Sequence, residues 1–91
     1  MSNILEIHEQ FVLEEDQLVK QINTCNEITA TILDLMYQQA QSLHTLTVEE
    51  VLMSIHRIQQ DLQTELLHAR LEKTVMAYKH SHGLPQDDVS I

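Results

Sequence analysis

Glu65, His68 and Glu72 form a short pattern in the sequence that could hold a metal ion. A helix would place these three side chains along one side, because they are three and four residues apart. Di-iron and di-manganese four-helix bundles use Glu-x-x-His on two of their helices, together with carboxylates from the others. Glu65 and His68, however, flank the main apolar positions rather than lying among them. The sequence therefore favours a polar strip with local Glu–His pairing, and we expect no metal or other cofactor.

The sequence lacks the combinations of residues that are typical of catalysis. A single glycine excludes a glycine-rich phosphate loop, and a single cysteine, Cys25, excludes an intramolecular disulfide or a cysteine-based zinc site. Ser54 and His56 would point about 200° apart on a helix, so they do not form a nucleophile and its base. We therefore expect a protein that is not an enzyme.

The charge of the chain is strongly negative and unevenly distributed. The net charge is −9, and residues 1–50 hold nine acidic residues against Lys20, a difference of −8. This half would repel phosphate, so direct nucleic-acid binding is disfavoured and a basic protein surface suits it better. There is no apolar run of about 18 residues and no signal-peptide pattern. The sequence therefore predicts a cytoplasmic protein without a membrane span.

The stretch Leu46–Leu52, "LTVEEVL", resembles the start of a helix. Thr47 and Glu50 have the spacing of a capping box, and Leu46 with Val51 that of a hydrophobic staple. The helix is predicted over residues 47–80, and the breakers near Pro85 would stop it. Its main apolar positions are Val48, Val51, Leu52, Ile55, Ile58, Leu62, Leu66, Ala69, Met76 and Ala77.

The first half of the chain has the same helical periodicity. It extends over residues 3–43 as either one helix or two, and we favour a break near 23–26, where Thr24 and Glu27 form a second cap signal. The fold class is thus all-α, a long antiparallel helical hairpin of two or three helices (about 3–22, 24–42 and 47–80). Residues 1–82 form one domain, and residues 83–91 are expected to be a flexible tail. The apolar positions are Ile4, Ile7, Phe11, Leu18, Ile22, Cys25, Thr29, Ile32, Met36, Ala40 and Leu43.

A second apolar stripe follows the C-terminal part of the second predicted helical region. Leu67, Leu71, Val75 and Tyr78 lie roughly 150° from the main apolar positions. A helix with one neighbour needs one apolar stripe, so two stripes indicate two neighbours or a subunit interface. We therefore expect these four residues to form an interface, and two hairpins to pair as a homodimer in a helical bundle.

Three blocks of the sequence resemble the AriR/YmgB-like regulators of biofilm development and acid resistance. They are residues 28–43 ("ITATILDLMYQQAQSL"), 51–58 ("VLMSIHRI") and 66–78 ("LLHARLEKTVMAY"). The resemblance covers about half of the chain and consists mostly of hydrophobic spacing. It implies a small dimeric regulator that binds a signalling or transcription component. It carries over no catalytic residue, and the longer first helix departs from the family's pattern.

The function expected from these observations is that of a small acidic regulatory or adaptor protein. It would act through protein–protein contacts, for example in biofilm or stress signalling, with a partner that is basic or presents an apolar helix. The alternatives are a small helical chaperone of a bacterial secretion or flagellar system, a phage-type inhibitor that mimics nucleic acid with its carboxylates, and the di-metal bundle.

Overall fold

The chain folds as a hairpin of two long helices. The computed structural model describes residues 3–82: α1 covers Asn3–Gln39, a 3₁₀ turn covers Ala40–Ser42, and α2 covers Thr45–His82. No strand is present in that range, so the predicted all-α helical hairpin is confirmed. The predicted tail at 83–91 lies outside the described residues.

From Phe11 to Met36, the surface of α1 that faces α2 follows a seven-residue repeat; Ile7 is also half-buried but lies outside the repeat. The buried and half-buried side chains of the repeat are separated by alternating steps of four and three residues, which is the spacing of coiled-coil a and d positions. We call these positions the seam. Most of them belong to the apolar set that the sequence predicted, and Glu15 is the addition. The seam residues of α1 are Phe11, Glu15, Leu18, Ile22, Cys25, Thr29, Ile32 and Met36.

From Val48 to Met76, the surface of α2 repeats the same spacing in the opposite direction; the half-buried Lys79 lies outside the repeat. The seam of α2 differs from the predicted apolar set in two ways. Val51, Ile58 and Ala77 were predicted to belong to it but are exposed, and Gln59 and Lys73 lie in it although they were not predicted. A two-helix contact covers only the narrow a/d strip, so apolar residues beside it stay outside. The seam residues of α2 are Val48, Leu52, Ile55, Gln59, Leu62, Leu66, Ala69, Lys73 and Met76.

The break predicted near residues 23–26 is wrong, because α1 continues through it. The Thr24 hydroxyl does not cap a new helix but donates to the carbonyl of Lys20, one turn earlier, at 2.9 Å. Cys25 is buried in the seam. Packing along an uninterrupted seam therefore outweighs the modest helix propensity of this segment.

The start of α2 is capped by His44 rather than by Thr47. The helix begins at Thr45, two residues before the predicted start. The backbone N–H of Thr47 donates to Nδ1 of His44 at 3.3 Å, and the Thr47 hydroxyl lies 2.8 Å from the same atom. The His44 ring thus satisfies a donor of the first turn, which is the part that the predicted capping box assigned to Thr47.

The core of the hairpin is small. Its centre is a cluster of Leu18, Leu66 and Ala69, against which Ile22 and Leu62 pack. These three central side chains are 5–9% exposed, and among the described residues no large side chain is fully buried. A single layer of two helices can enclose little more, so most of the remaining apolar surface faces outward.

Candidate interaction surfaces

The three candidate metal ligands do not assemble a metal site within the chain. Glu65, His68 and Glu72 are all exposed on α2. Residues 3–82 contain no group of three or more His, Cys, Asp or Glu side chains that could hold a metal ion. Their positions beside and outside the seam leave them on the surface, where solvent surrounds them.

Two depressions on the described part of the hairpin are each bounded by a single helix. One depression of about 540 Å³ is lined by side chains of the first turns of α2 alone, and a second by side chains of α1 alone. A small-molecule site usually encloses most of its ligand between several elements. One helix cannot do this, so these depressions are spaces between neighbouring side chains. The first is lined by Leu46, Glu49, Glu50, Met53, Ser54 and Arg57.

The four predicted interface residues lie on the outward side of α2. Leu67 and Leu71 are 64% and 58% exposed, and Val75 and Tyr78 are also exposed. They follow one another by three or four residues, so they form a continuous strip along the C-terminal half of α2. We call these four residues the α2 outer patch. A strip of large apolar side chains directed at solvent is typical of a protein–protein contact.

A second apolar group lies beside the seam near the turn of the hairpin. Ile28 and Leu35 of α1 each precede a seam position, as do Val51 and Ile58 of α2, and all four are exposed. In an antiparallel pair these positions lie on the same side of the two helices. Apolar periodicity alone did not reveal this group, because it assigns Val51 and Ile58 to the seam. The seven-residue spacing of each pair is the signal that could have identified it.

A third apolar group runs along the other side of α1. It consists of four exposed side chains: Leu5, Val12, Val19 and Leu33. The last three directly follow Phe11, Leu18 and Ile32, which are d positions of the seam, and Leu5 lies seven residues before Val12. Asn26 occupies the remaining position of this series. We call this group the Val19 face. The apolar positions predicted for the first half of the chain do not include these residues, so the sequence analysis did not identify this surface.

A network of two ion pairs, from one acidic and two basic side chains, crosses the seam in the N-terminal half of α1. Lys73 Nζ donates to Glu15 Oε1 at 2.6 Å, and Arg70 Nε donates to Glu15 Oε2 at 3.1 Å. The Glu15 side chain is only 16% exposed. The hydrogen bond from Lys73 is the main reason that the pKa of Glu15 lies below its ordinary value of 4.5, although partial burial opposes this and Arg70 supports it. The two cations thus keep a carboxylate ionised at the edge of the seam.

A neutral hydrogen bond crosses the seam nearer to the turn. Gln59 Nε2 donates to Asn26 Oδ1 at 2.6 Å. Gln59 is a seam residue, and Asn26 follows the seam residue Cys25. Polar groups at such positions favour the one alignment of the helices in which they meet. Together with the Glu15 ion pair, this bond fixes the register of the hairpin.

Comparison with known proteins adds no family to this description. No family model, no curated protein and no solved structure matches the chain. Within residues 3–82, neither helix is apolar enough over a sufficient length to cross a membrane.

Proposed function

We propose that this protein is a non-enzymatic cytoplasmic adaptor that works by binding another protein through the α2 outer patch. The observation that carries the proposal is the exposure of Leu67, Leu71, Val75 and Tyr78 along one continuous strip. Large apolar side chains are enriched in the centres of protein interfaces, where they exclude water. Burying such a strip against a partner helix would remove its unfavourable contact with solvent.

The chemistry of the partner follows from the charge that surrounds the patch. The chain carries a net charge of −9, so a partner with a basic rim around an apolar centre would be attracted to it over a distance. An acidic nucleic-acid surface would be repelled. A signalling or transcription protein, as the resemblance to biofilm and acid-resistance regulators implies, is the class of partner that we propose.

The test is an affinity capture from the native cells after nuclease treatment, comparing three forms of the tagged protein. Leu71→Glu places a charge in the α2 outer patch. Thr64→Glu is the matched control, because Thr64 is exposed, lies one seven-residue repeat earlier on α2 and is not part of the patch. Both changes add the same charge, so a difference between them reports on the patch alone.

We expect one signalling or transcription protein to be captured by the wild type and by Thr64→Glu and to be lost with Leu71→Glu. The affinity of the purified partner should then fall at least tenfold with Leu71→Glu. Capture that is equal with both variants would contradict the proposal. Capture of an exported client would instead indicate the chaperone.

A further inference from the structure

The Val19 face is an apolar surface on α1, and its position in the helical repeat differs from that of the α2 outer patch. A helix that packs against one neighbour needs apolar residues only at its a and d positions, whereas a helix in a bundle also needs them at a third position. α1 has this third set: Leu5, Val12 and Val19 are spaced by seven residues, and Leu33 resumes the series after Asn26. Its own partner α2 does not cover them, since all four are exposed.

The charges beside the seam distinguish the two broad sides of the hairpin. No position of the Val19 face is charged. Glu9 and Asp16 adjoin it on α1, and the adjoining positions of α2 include Glu49 and Arg70, whose charges are opposite. On the other side, the flanking positions hold three acidic residues and one lysine, which are Glu14, Glu65, Glu72 and Lys79. Two chains that each carry a net charge of −9 repel one another, and the repulsion is weaker on the side where the positions that flank the seam carry balanced charges. The Val19 face is therefore the side on which a second copy of this acidic chain can approach.

The spacing of the Val19 face also suits pairing with itself. The series from Leu5 to Leu33 is centred on Val19, so a two-fold axis beside Val19 would bring Leu5 of one copy to Leu33 of the other. Leu5 and Leu33 are 28 positions apart, which corresponds to about 42 Å along the helix at a rise of about 1.5 Å per residue. The side of the hairpin that carries the Val19 face is two helices wide, about 20 Å, so with the adjoining surface of α2 it covers about 800 Å² per chain, the area of a stable interface.

We infer that the Val19 face is the surface on which a second copy of this chain docks, so that two hairpins form a four-helix bundle. The α2 outer patch then stays available for the protein partner. This inference goes beyond the proposed function and does not depend on it, because it assigns self-association to α1 and partner binding to α2. The sequence alone predicts a single interface, on α2.

The test is the molar mass in solution of the wild type and of three glutamate variants at micromolar concentration. Val19→Glu and Leu33→Glu place charge in the Val19 face, at side chains that are 36% and 53% exposed. Gln17→Glu is the matched control, because Gln17 is exposed on α1 and lies on the other side of the helix. Circular dichroism of each variant shows whether the hairpin itself remains helical.

We expect about 21 kDa for the wild type and for Gln17→Glu, twice the 10.6 kDa of one chain. Val19→Glu and Leu33→Glu should fall to the mass of one chain with unchanged helicity. If Val19→Glu unfolds, the mass of Leu33→Glu is the result that tests the inference. A monomeric wild type, a dimer that survives both changes, or the loss of the dimer in Gln17→Glu would overturn the inference. Because the capture experiment uses Leu71, failure of the adaptor proposal would show in a different variant.

Discussion

The ammonium group of Lys73 lies 2.6 Å from a carboxylate oxygen of Glu15, 58 residues away in the chain. Both residues occupy seam positions, which are otherwise mostly apolar. A slip of the two helices by one repeat would leave each charge against apolar side chains without its counter-ion. Such a slip is costly, so this pair selects the observed antiparallel alignment more than it adds to stability.

Glu15→Gln should lower the stability of the hairpin at neutral pH and have progressively less effect in acid. The pKa of Glu15 is lowered in the folded chain, so its stabilising contribution is fully present above the unfolded-state value of 4.5. That contribution is lost as the pH falls through the lower folded-state value. Thermal melting of wild type and variant between neutral and strongly acidic pH should show two curves that converge at low pH.

Glu14→Gln provides the control for this experiment. It removes the same charge one residue earlier, and no ion pair of Glu14 is found in the described part of the chain. Its melting temperature should stay close to that of the wild type, or rise slightly as the net negative charge decreases. A Glu14→Gln variant that behaves like Glu15→Gln would attribute the effect to overall charge rather than to the ion pair.

Gln59→Leu should raise the free energy of unfolding of the hairpin while removing a hydrogen bond that helps to fix the register of its two helices. The side chain lies half-buried in the seam, so an apolar replacement gains about 1 kcal/mol of burial, while the exposed hydrogen bond to Asn26 that it loses contributes little. Urea unfolding should give a higher midpoint for this variant. The same change at Gln17, which is exposed, should stay within about 0.5 kcal/mol of the wild type. A lower midpoint for Gln59→Leu would mean that the Asn26 bond is worth more than the seam position.

The hairpin could be predicted from sequence because its dominant signal is local and repetitive. Apolar residues at steps of three and four, with no glycine or proline before residue 83, leave two antiparallel helices as the simplest arrangement. The continuity of α1 could not be predicted in the same way. The cap signal at Thr24 is a real property of those residues, and packing along the seam, in which Cys25 is buried, outweighs it.

The composition of the seam was harder to predict, because three of its members besides Thr29 are charged or polar. Glu15, Gln59 and Lys73 do not stand out when only apolar residues are followed. Their positions become apparent when the strict alternation of four and three is carried across the gaps. The exposed apolar surfaces could not be predicted from this alternation. Val19 and Val51 adjoin the seam and share its period, and only the three-dimensional packing shows that neither is covered.

His44→Ala should weaken the start of α2. The His44 ring accepts the backbone N–H of Thr47 through Nδ1, and its loss leaves that donor of the first turn without its side-chain partner. Removing a helix cap costs about 1 kcal/mol. Urea unfolding should report this loss, and hydrogen exchange should become faster at the first turn of α2. His68→Ala is the control, since His68 is exposed within α2 and the change there should be neutral.

Leu66→Ala should be the most destabilising of these substitutions. Leu66 is 9% exposed and belongs to the cluster with Leu18 and Ala69, and replacing a buried leucine by alanine costs about 2–5 kcal/mol. Because the core is so small, a loss of this size should unfold much of the population at moderate temperature.

Leu71→Ala makes the same chemical change five residues further along α2, where the side chain is 58% exposed. Its effect on unfolding should be within about 0.5 kcal/mol, because the residue contributes to the surface rather than to the seam. The two variants therefore separate stability from recognition: calorimetric melting should distinguish them clearly, whereas partner capture should be affected by Leu71→Ala in a chain that remains folded. Equal destabilisation by both would mean that the α2 outer patch is itself buried in solution, against a second copy or a bound partner.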